Sequence, residues 1–287
     1  MTLIELIERM GARLEQAGVS FGHGTTNAFD EAAWLTLWRL GLPLDGLDDA
    51  ADSAVGAEGA EAVEALVAQR IATRKPAAYL TNEAWLQGVP FYIDERAIVP
   101  RSLIAEPLAD GTLDAWLSDQ THRVLDLCTG NGSLAVLAAL AWPEVVVDAA
   151  DLSADALAVA GINVEKHQLT DRIKLHQGDG LAAVQGPYDL ILCNPPYVNA
   201  QSMAELPAEY RAEPALALAG GTDGMDFIRT LLRDAPARMT EHGVLVLEIG
   251  HEREHFERAF PTLEAVWLPT SAGDDQVLLM TREALLR

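Results

Sequence analysis

The apolar positions follow a helical period from the start of the chain to Lys75. The first helix has one apolar face, formed by Ile4, Ile7, Met10 and Leu14. Further helices are predicted over about 30–40, with Asn27 as a candidate cap, and over about 61–74. The small, acidic segment between these two helices predicts a mobile connection. We therefore expect residues 1–76 to form a helical domain.

The pattern changes after Ala78, where AYLTNEAWLQGVPFYIDERAIVPR alternates apolar and polar residues. The sequence GVP near its centre predicts the turn of a β-hairpin. We expect residues 77–101 to form this hairpin as a linker. A helix over about 102–118 should follow it.

Short runs rich in β-branched residues alternate with helical stretches through the rest of the chain. The seven runs are VLDL, EVVVDAA, RIKLH, YDLILC, GVLVLEIG, LEAVWLP and QVLLMT. Their order predicts an α/β fold with a seven-stranded, mostly parallel sheet over residues 102–287. The short connection between the last two runs predicts a closing antiparallel pair.

Composition narrows the choice of partners. The formal net charge is −23, with 43 acidic and 20 basic side chains. Such a surface repels nucleic-acid phosphates and attracts a basic protein, although the acids also favour solubility. No apolar run reaches bilayer length, and the N-terminus predicts an amphipathic helix instead of a signal peptide, so we expect no membrane partner. Cys128 and Cys193, at the ends of predicted buried strands, are typical of a reducing cytoplasm.

A glycine-rich turn follows the first strand of the predicted sheet. Gly130 and Gly132 allow a sharp bend and close approach of a ligand to the free N–H groups of the next helix. Asp151, at the end of the next strand, can accept hydrogen bonds from two ribose hydroxyls. Together they predict a nucleotide-cofactor site. With Ala135, the two glycines also satisfy the loose dinucleotide fingerprint, so a nicotinamide-dependent oxidoreductase is an alternative.

Two other acids bear on the identity of the cofactor. Asp126 and Asp179 suit a cationic sulfonium, as in S-adenosylmethionine, better than an anionic pyrophosphate. The alternatives are a turn-capping role for Asp126 and an ordinary Gly-Asp-Gly loop around Asp179. His23 lies in a predicted loop without other metal-type residues at ligand spacing, so we expect no metal.

The fourth strand ends in the sequence NPPY. Asn194 should reach the same sheet edge as the glycine turn, because ligands of open α/β sheets bind beyond the carboxyl ends of the strands. Pro195 and Pro196 lack N–H groups and stiffen the loop. The Asn194 side-chain oxygen and the Pro195 carbonyl can accept both hydrogens of one –NH2 group, with Tyr197 packed on the planar group. The alternative is a simple Pro-Pro turn.

Several segments resemble a known family. LDLCTGNGSLAV, DLSADALAVAGINVEKH and NPPYVNA resemble class I S-adenosylmethionine-dependent methyltransferases of the NPPY group, which have a Rossmann-like fold. AYLTNEAWLQGVPFYIDERAIVPRS and LPAEYRAEPALALAGGTDGMD resemble segments of protein-glutamine methyltransferases. FGHGTTNAFDEA, the cysteine at Cys128 and VPRS are most similar to the branch that acts on ribosomal protein uL3. The resemblance covers nearly the whole chain. It implies methylation of a glutamine amide in this basic protein with S-adenosylmethionine. It also implies that the helical domain over residues 1–76 recognises the protein substrate.

The resemblance also implies roles for individual residues. The expected substrate-binding residues are Asn194, Pro195, Pro196, Tyr197 and Glu213, of which Asn194, Pro195 and Tyr197 are also the expected catalytic residues. The expected cofactor-binding residues are Asp126, Gly130, Gly132, Asp151, Asp179 and Asn194. Glu213 and Pro214 would shape the pocket and Arg101 would hold its rim. The alternative for Glu213 and Pro214 is that the acid caps a helix. The alternative for Arg101 is a salt bridge within the hairpin.

Rival functions stay open at this point. A sister branch of the same family modifies peptide release factors at a Gly-Gly-Gln motif. Other members of the NPPY group methylate nucleic-acid amines, for which this acidic chain offers no basic groove. A non-catalytic assembly factor would keep the same fold. Leu103, EIGHE and AGDDQ depart from the family pattern, and these departures bear on the substrate more than on the chemistry.

Overall fold

The computed structural model describes residues 1–287. The helices are α1 (Leu3–Gln16), α2 (Ala28–Leu40), α3 (Leu47–Ala50), α4 (Ala57–Thr73), α5 (Ala77–Thr81), α6 (Ala105–Ala109), α7 (Ser133–Ala141), α8 (Ala154–Lys166), α9 (Ala200–Glu205), α10 (Asp226–Asp234), α11 (Arg253–Ala259) and α12 (Arg282–Leu285). The strands are β1 (Glu83–Leu86), β2 (Val89–Tyr92), β3 (Arg123–Leu127), β4 (Val146–Asp151), β5 (Ile173–Gln177), β6 (Tyr188–Cys193), β7 (Met239–Glu248), β8 (Val266–Thr270) and β9 (Gly273–Thr281). None of the helices has the length and apolar character needed to cross a membrane.

Seven strands form one sheet in the order β5-β4-β3-β6-β7-β9-β8. The first five in this order are parallel to one another, whereas β9 is antiparallel to both β7 and β8. Helices α7 and α8 provide the crossovers that parallel pairing requires. The predicted α/β fold, with its mostly parallel sheet and closing antiparallel pair, is confirmed.

Both faces of the sheet are buried under helices. Val124 and Leu190 lie in the apolar cluster that contains α7, whereas Leu125 and Ile191 lie in the cluster that contains α10. Alternate residues of β3 and β6 therefore enter opposite cores. Burial on both faces accounts for the nearly continuous apolar runs in these strands.

Helices α1, α2 and α4 have an apolar cluster of their own, to which the predicted face of α1 contributes. Asn27 caps α2 as predicted, since its side-chain oxygen accepts from the amide of Asp30 at 2.9 Å. The segment predicted to be a mobile connection instead contains α3. The carbonyls of Ala51 and Ser53 accept the amides of Ile4 and Leu3, which ties the segment to the first turn of α1.

Three other boundaries differ from the predictions. Helix α4 begins at Ala57, and the hairpin, with the predicted turn after Leu86, begins only at Glu83 because α5 precedes it. The helix predicted over about 102–118 is divided into α6 and a 3₁₀-helix, Thr112–Trp116. Gly111 separates these two pieces with a φ of 79°, a left-handed conformation that interrupts the α-helix.

A buried arginine joins the N-terminal helices to the segment after the NPPY loop. Arg70 has no exposed surface, and its guanidinium contacts Glu31 at 2.9 Å, Glu209 at 3.3 Å and the carbonyl of Ser20 at 3.0 Å. Arg74 reaches Glu209 as well, at 3.0 Å. Because Glu31 and Glu209 are both buried, Arg70 neutralises charge that no solvent screens.

Replacing this arginine should destabilise the protein severely. We expect Arg70→Met to lower the free energy of unfolding by about 3–5 kcal/mol, because it leaves the buried Glu31 without its cation and Glu209 with Arg74 alone. Chemical denaturation measures the change. Arg9→Met is the matched control, since Arg9 pairs with Glu64 on the exposed surface and should contribute at most about 1 kcal/mol. Equal effects of the two substitutions would contradict the assignment.

Candidate active site

Three neighbouring strands end together at one edge of the sheet. Leu127 of β3 is the register partner of Ala150 in β4 and of Cys193 in β6. The next residue along each strand is therefore Cys128, Asp151 or Asn194. This pairing brings the glycine turn, the predicted ribose acid and the NPPY loop to one place, as the sequence predicted.

The glycine turn is built around the carboxylate of Asp151. One oxygen accepts the amide of Gly130 at 2.9 Å, and the other accepts the amide of Ser153 at 2.8 Å. Gly130 has a φ of 55°, and Cys128 has a φ of 61°, which is unfavourable for a residue with a side chain. Burial raises the pKa of Asp151 despite these hydrogen bonds. The carboxylate thus orders the turn while it borders the cavity described next.

A cavity of about 160 Å³ lies between the glycine turn and the NPPY loop. Six of the residues predicted from the sequence line it: Gly130, Asp151, Asp179, Asn194, Pro196 and Pro214. The sequence analysis missed most of its apolar lining, which includes Leu127, Ala150, Leu152, Ala156, Leu216 and Phe227. Phe227 comes from α10 and lies against Gly180. No local motif marks such residues, because they reach the cavity from separate elements.

Two predicted cofactor residues lie behind the turn instead. Asp126 is 1% exposed, and one of its oxygens accepts the Thr129 hydroxyl and the Ala135 amide, the latter at 2.9 Å. Burial raises its pKa to about 7. Gly132 has a φ of 81°, and a Cβ there would lie 3.1 Å from the Cβ of Ala160. Neither residue lines the cavity. Asp126 caps the glycine turn, which is the alternative role considered for it above. Gly132 allows α7 and α8 to pack closely.

The backbone of the NPPY loop is fixed by the segment that follows it. The amide of Val198 donates to Leu218 and its carbonyl accepts from Gly220, both at 2.9 Å. A Cβ at Gly220 would lie 2.7 Å from the Cα of Tyr197, so the two backbones approach too closely for another residue. Pro195 is buried and is not among the residues that line the cavity.

Tyr197 anchors the loop from behind and does not line the cavity. Its ring packs against Gly250, and its hydroxyl donates to Glu248 at 3.0 Å. Glu248 is 3% exposed and also accepts from the Ser102 hydroxyl at 2.6 Å and the Leu103 amide at 2.9 Å. Burial raises the pKa of this carboxyl. The sequence analysis missed Glu248, whose only signal was an acid at the end of an apolar strand.

Glu213 likewise holds the wall of the cavity and is not part of its lining. Its two oxygens accept from both terminal nitrogens of Arg101 at 2.7 Å, and one also accepts from the amide of Val99 at 3.0 Å. Burial would raise its pKa, but Arg101 and His23 outweigh burial and hold it at about 2. The cavity wall Pro214–Ala217 follows directly.

His23 also contacts Glu213. Its Nε2 lies 3.4 Å from Glu213, and its ring centroid lies 4.3 Å from that of Tyr210. The histidine is 2% exposed. The loop between α1 and α2 therefore packs against the segment that leads into the cavity wall. Arg101 was expected to hold the rim, with a salt bridge inside the hairpin as the alternative, and its salt bridge instead joins the hairpin segment to Glu213, 112 residues away.

The strand order, the glycine turn and the cavity at the carboxyl edge define a class I methyltransferase. The family model for the methyltransferase small domain matches residues 111–210. Among solved structures, the catalytic domain of hMettl16, in complex with the MAT2A 3'UTR hairpin 6, matches with a TM-score of 0.53. It is 15% identical and covers 75% of this chain and 81% of that one, and the likeness concerns the fold alone.

Curated relatives define the family more narrowly. The ribosomal protein uL3 glutamine methyltransferase of Bordetella pertussis (strain Tohama I) is 54% identical, over 99% of this chain and 96% of the relative. The protein of the same name from Neisseria meningitidis serogroup B is 47% identical, over 99% and 94%. The chain belongs to the family of ribosomal protein uL3 glutamine methyltransferases, and the family identified from its motifs is confirmed.

The hydroxyl of Tyr197 should contribute measurably to stability. We expect Tyr197→Phe to lower the free energy of unfolding by about 1–2 kcal/mol, because the buried Glu248 loses a hydrogen bond. Thermal or urea unfolding measures the change. Tyr92→Phe is the control, since its hydroxyl bonds the partly exposed Asp94 and its loss should cost at most about 0.5 kcal/mol. A Tyr197 variant as stable as the control would show that the anchor is unimportant.

Proposed function

We propose that the chain transfers a methyl group from S-adenosylmethionine to the side-chain amide nitrogen of a glutamine in ribosomal protein uL3. The carrying observation is the position of Asn194, which borders the same cavity as Gly130 and Asp151 in a chain 54% identical to a curated uL3 enzyme. The relatives named above support uL3 over a release factor as the substrate. The free cysteines fit a reducing cytoplasm as the site of this reaction.

The residues around the cavity fit this cofactor. Asp151 retains acceptor capacity toward ribose hydroxyls, and the apolar walls suit an adenine ring. Arg96 is the one basic residue in the lining, and Asp94 already pairs with it at 2.7 Å. No free cation is therefore available for a pyrophosphate, whereas Asp151 and Asp179 complement a sulfonium. When bound, the cofactor would supply an electrophilic methyl group.

The NPPY loop would hold and orient the substrate amide. The Asn194 side-chain oxygen and the Pro195 carbonyl would accept its two N–H bonds, which directs the nitrogen lone pair toward the methyl group. Asn194 and Pro195 would thus hold the nitrogen so that it could take the methyl carbon while the electron pair of the broken carbon–sulfur bond stayed on sulfur. The methylated nitrogen would release one proton to water. Tyr197 and Glu248 support this reaction by keeping the loop in position.

Asp151 should govern cofactor affinity. We expect Asp151→Asn to raise the dissociation constant for S-adenosylmethionine by about tenfold, because a neutral amide is a weaker acceptor for ribose hydroxyls. Isothermal titration calorimetry measures this constant. Asp155→Asn serves as the control, because that exposed acid lies in the next helix and outside the cavity. Unchanged binding to the Asp151 variant would remove the residue from the cofactor site.

Asn194 should govern turnover. We expect Asn194→Ala to lower kcat by about 10²–10³-fold, as loss of one catalytic polar contact does, while cofactor affinity stays nearly unchanged. Mass spectrometry of uL3 incubated with enzyme and labelled cofactor measures methylation and locates the modified side chain. Gln201→Ala, on the exposed surface after the loop, controls for the loss of an amide. Turnover near the wild-type level in the Asn194 variant would overturn the mechanism, and a release factor modified in place of uL3 would overturn the substrate.

The acidic surface should speed encounter with a basic protein. We expect kcat/KM for uL3 to fall several-fold as ionic strength rises from about 0.01 to 0.15 M, because salt screens the attraction between the partners. The value of kcat at saturating uL3 should stay constant over the same range and is the internal control. A flat kcat/KM would rule out electrostatic steering.

A further inference from the structure

A second cavity lies between the N-terminal helices and the hairpin. It has a volume of about 170 Å³ and is lined by Gly24, Thr25, Trp34, Leu44 and Trp85, which we call the tryptophan cleft. Trp85 is 44% exposed, although large aromatic side chains are usually buried. The indole nitrogen of Trp34 is buried and has no hydrogen-bond partner. The cleft therefore presents the exposed indole of Trp85 beside that of Trp34, which also packs against the core of the N-terminal helices.

The segment that contributes Leu44 to the cleft is acidic. Residues 40–69 include seven acidic side chains and no lysine or arginine. Six of these acids are exposed and form no ion pair: Asp45, Asp48, Asp49, Asp52, Glu58 and Glu61. Leu44 of this segment lines the cleft, and Glu83 accepts the indole N–H of Trp85 at 2.7 Å. A cation entering the cleft would meet aromatic faces among carboxylates.

The cleft is connected to the active site through one loop. Gly24 and Thr25 line the cleft, while the preceding residue, His23, packs against Glu213. The residues after Glu213 form the wall of the methyltransferase cavity. A protein seated in the cleft would therefore lie against the same loop that supports the active site.

From these observations we infer that the tryptophan cleft is the docking site for the protein substrate and takes an arginine or lysine side chain of it between Trp34 and Trp85. The inference rests on the proposed function and adds how the substrate is recognised. A basic side chain accounts for the aromatic faces and for the acidic surroundings together. A purely apolar anchor would gain nothing from the acids of residues 40–69.

Calorimetric titration of unmethylated uL3 into the full-length enzyme with S-adenosylhomocysteine tests the inference. Trp85→Ala should weaken binding about tenfold, and Trp85→Phe should restore most of the affinity. Trp116→Ala, which removes another partly exposed tryptophan outside the cleft, should bind as the wild type does. In assays, Trp85→Ala should raise KM for uL3 about tenfold and leave kcat and cofactor affinity unchanged.

The outcomes separate the inference from the proposed function. If Trp85→Ala binds and methylates uL3 like the wild type, docking at the cleft is overturned and methyl transfer stands. If the wild-type enzyme neither binds nor methylates uL3, the proposed function fails and the inference fails with it. If sedimentation shows a wild-type dimer that Trp85→Ala dissociates, a second copy of the chain occupies the cleft and the inference is overturned.

Discussion

The register of three parallel strands is the constraint on which the site depends. Leu127, Ala150 and Cys193 are paired across β3, β4 and β6, so the residues that follow them leave the sheet side by side. The glycine turn and the NPPY loop thus lie next to each other at one edge of the sheet. A shift of one residue in this pairing would turn each side chain to the other face of the sheet. Burial of both faces opposes such a shift.

Buried acids behind the rim fix the loops that follow these strands. Asp126 caps the glycine turn, and Glu248 accepts a hydrogen bond from Tyr197. Glu213 binds Arg101 and thereby fixes the segment that leads into the cavity wall. Each accepts hydrogen bonds that would otherwise be left unsatisfied in the interior. The cavity itself then needs few polar groups, because its geometry is set from outside. Glu213 and Glu209 also extend this support to the N-terminal helices through His23 and Arg70.

The sequence was sufficient to predict the parts of the site that follow from strand ends. Gly130, Asp151 and Asn194 were predicted because each lies at or just beyond the carboxyl end of a β-strand, and the structure places all three around one cavity. The partners of the neighbouring side chains could not be predicted in this way. Tyr197 turns toward Glu248, 51 residues away. Glu213 turns toward Arg101, 112 residues away. Such long-range partners leave no local pattern, and the same holds for the apolar lining contributed by Phe227.

The most direct test is a crystal structure of the enzyme with S-adenosylhomocysteine and a glutamine-containing peptide of uL3. The account predicts that the ribose contacts Asp151 and that the glutamine nitrogen lies between the Asn194 side-chain oxygen and the Pro195 carbonyl, facing the sulfur. A glutamine bound away from this loop, or a cofactor bound away from the glycine turn, would contradict it.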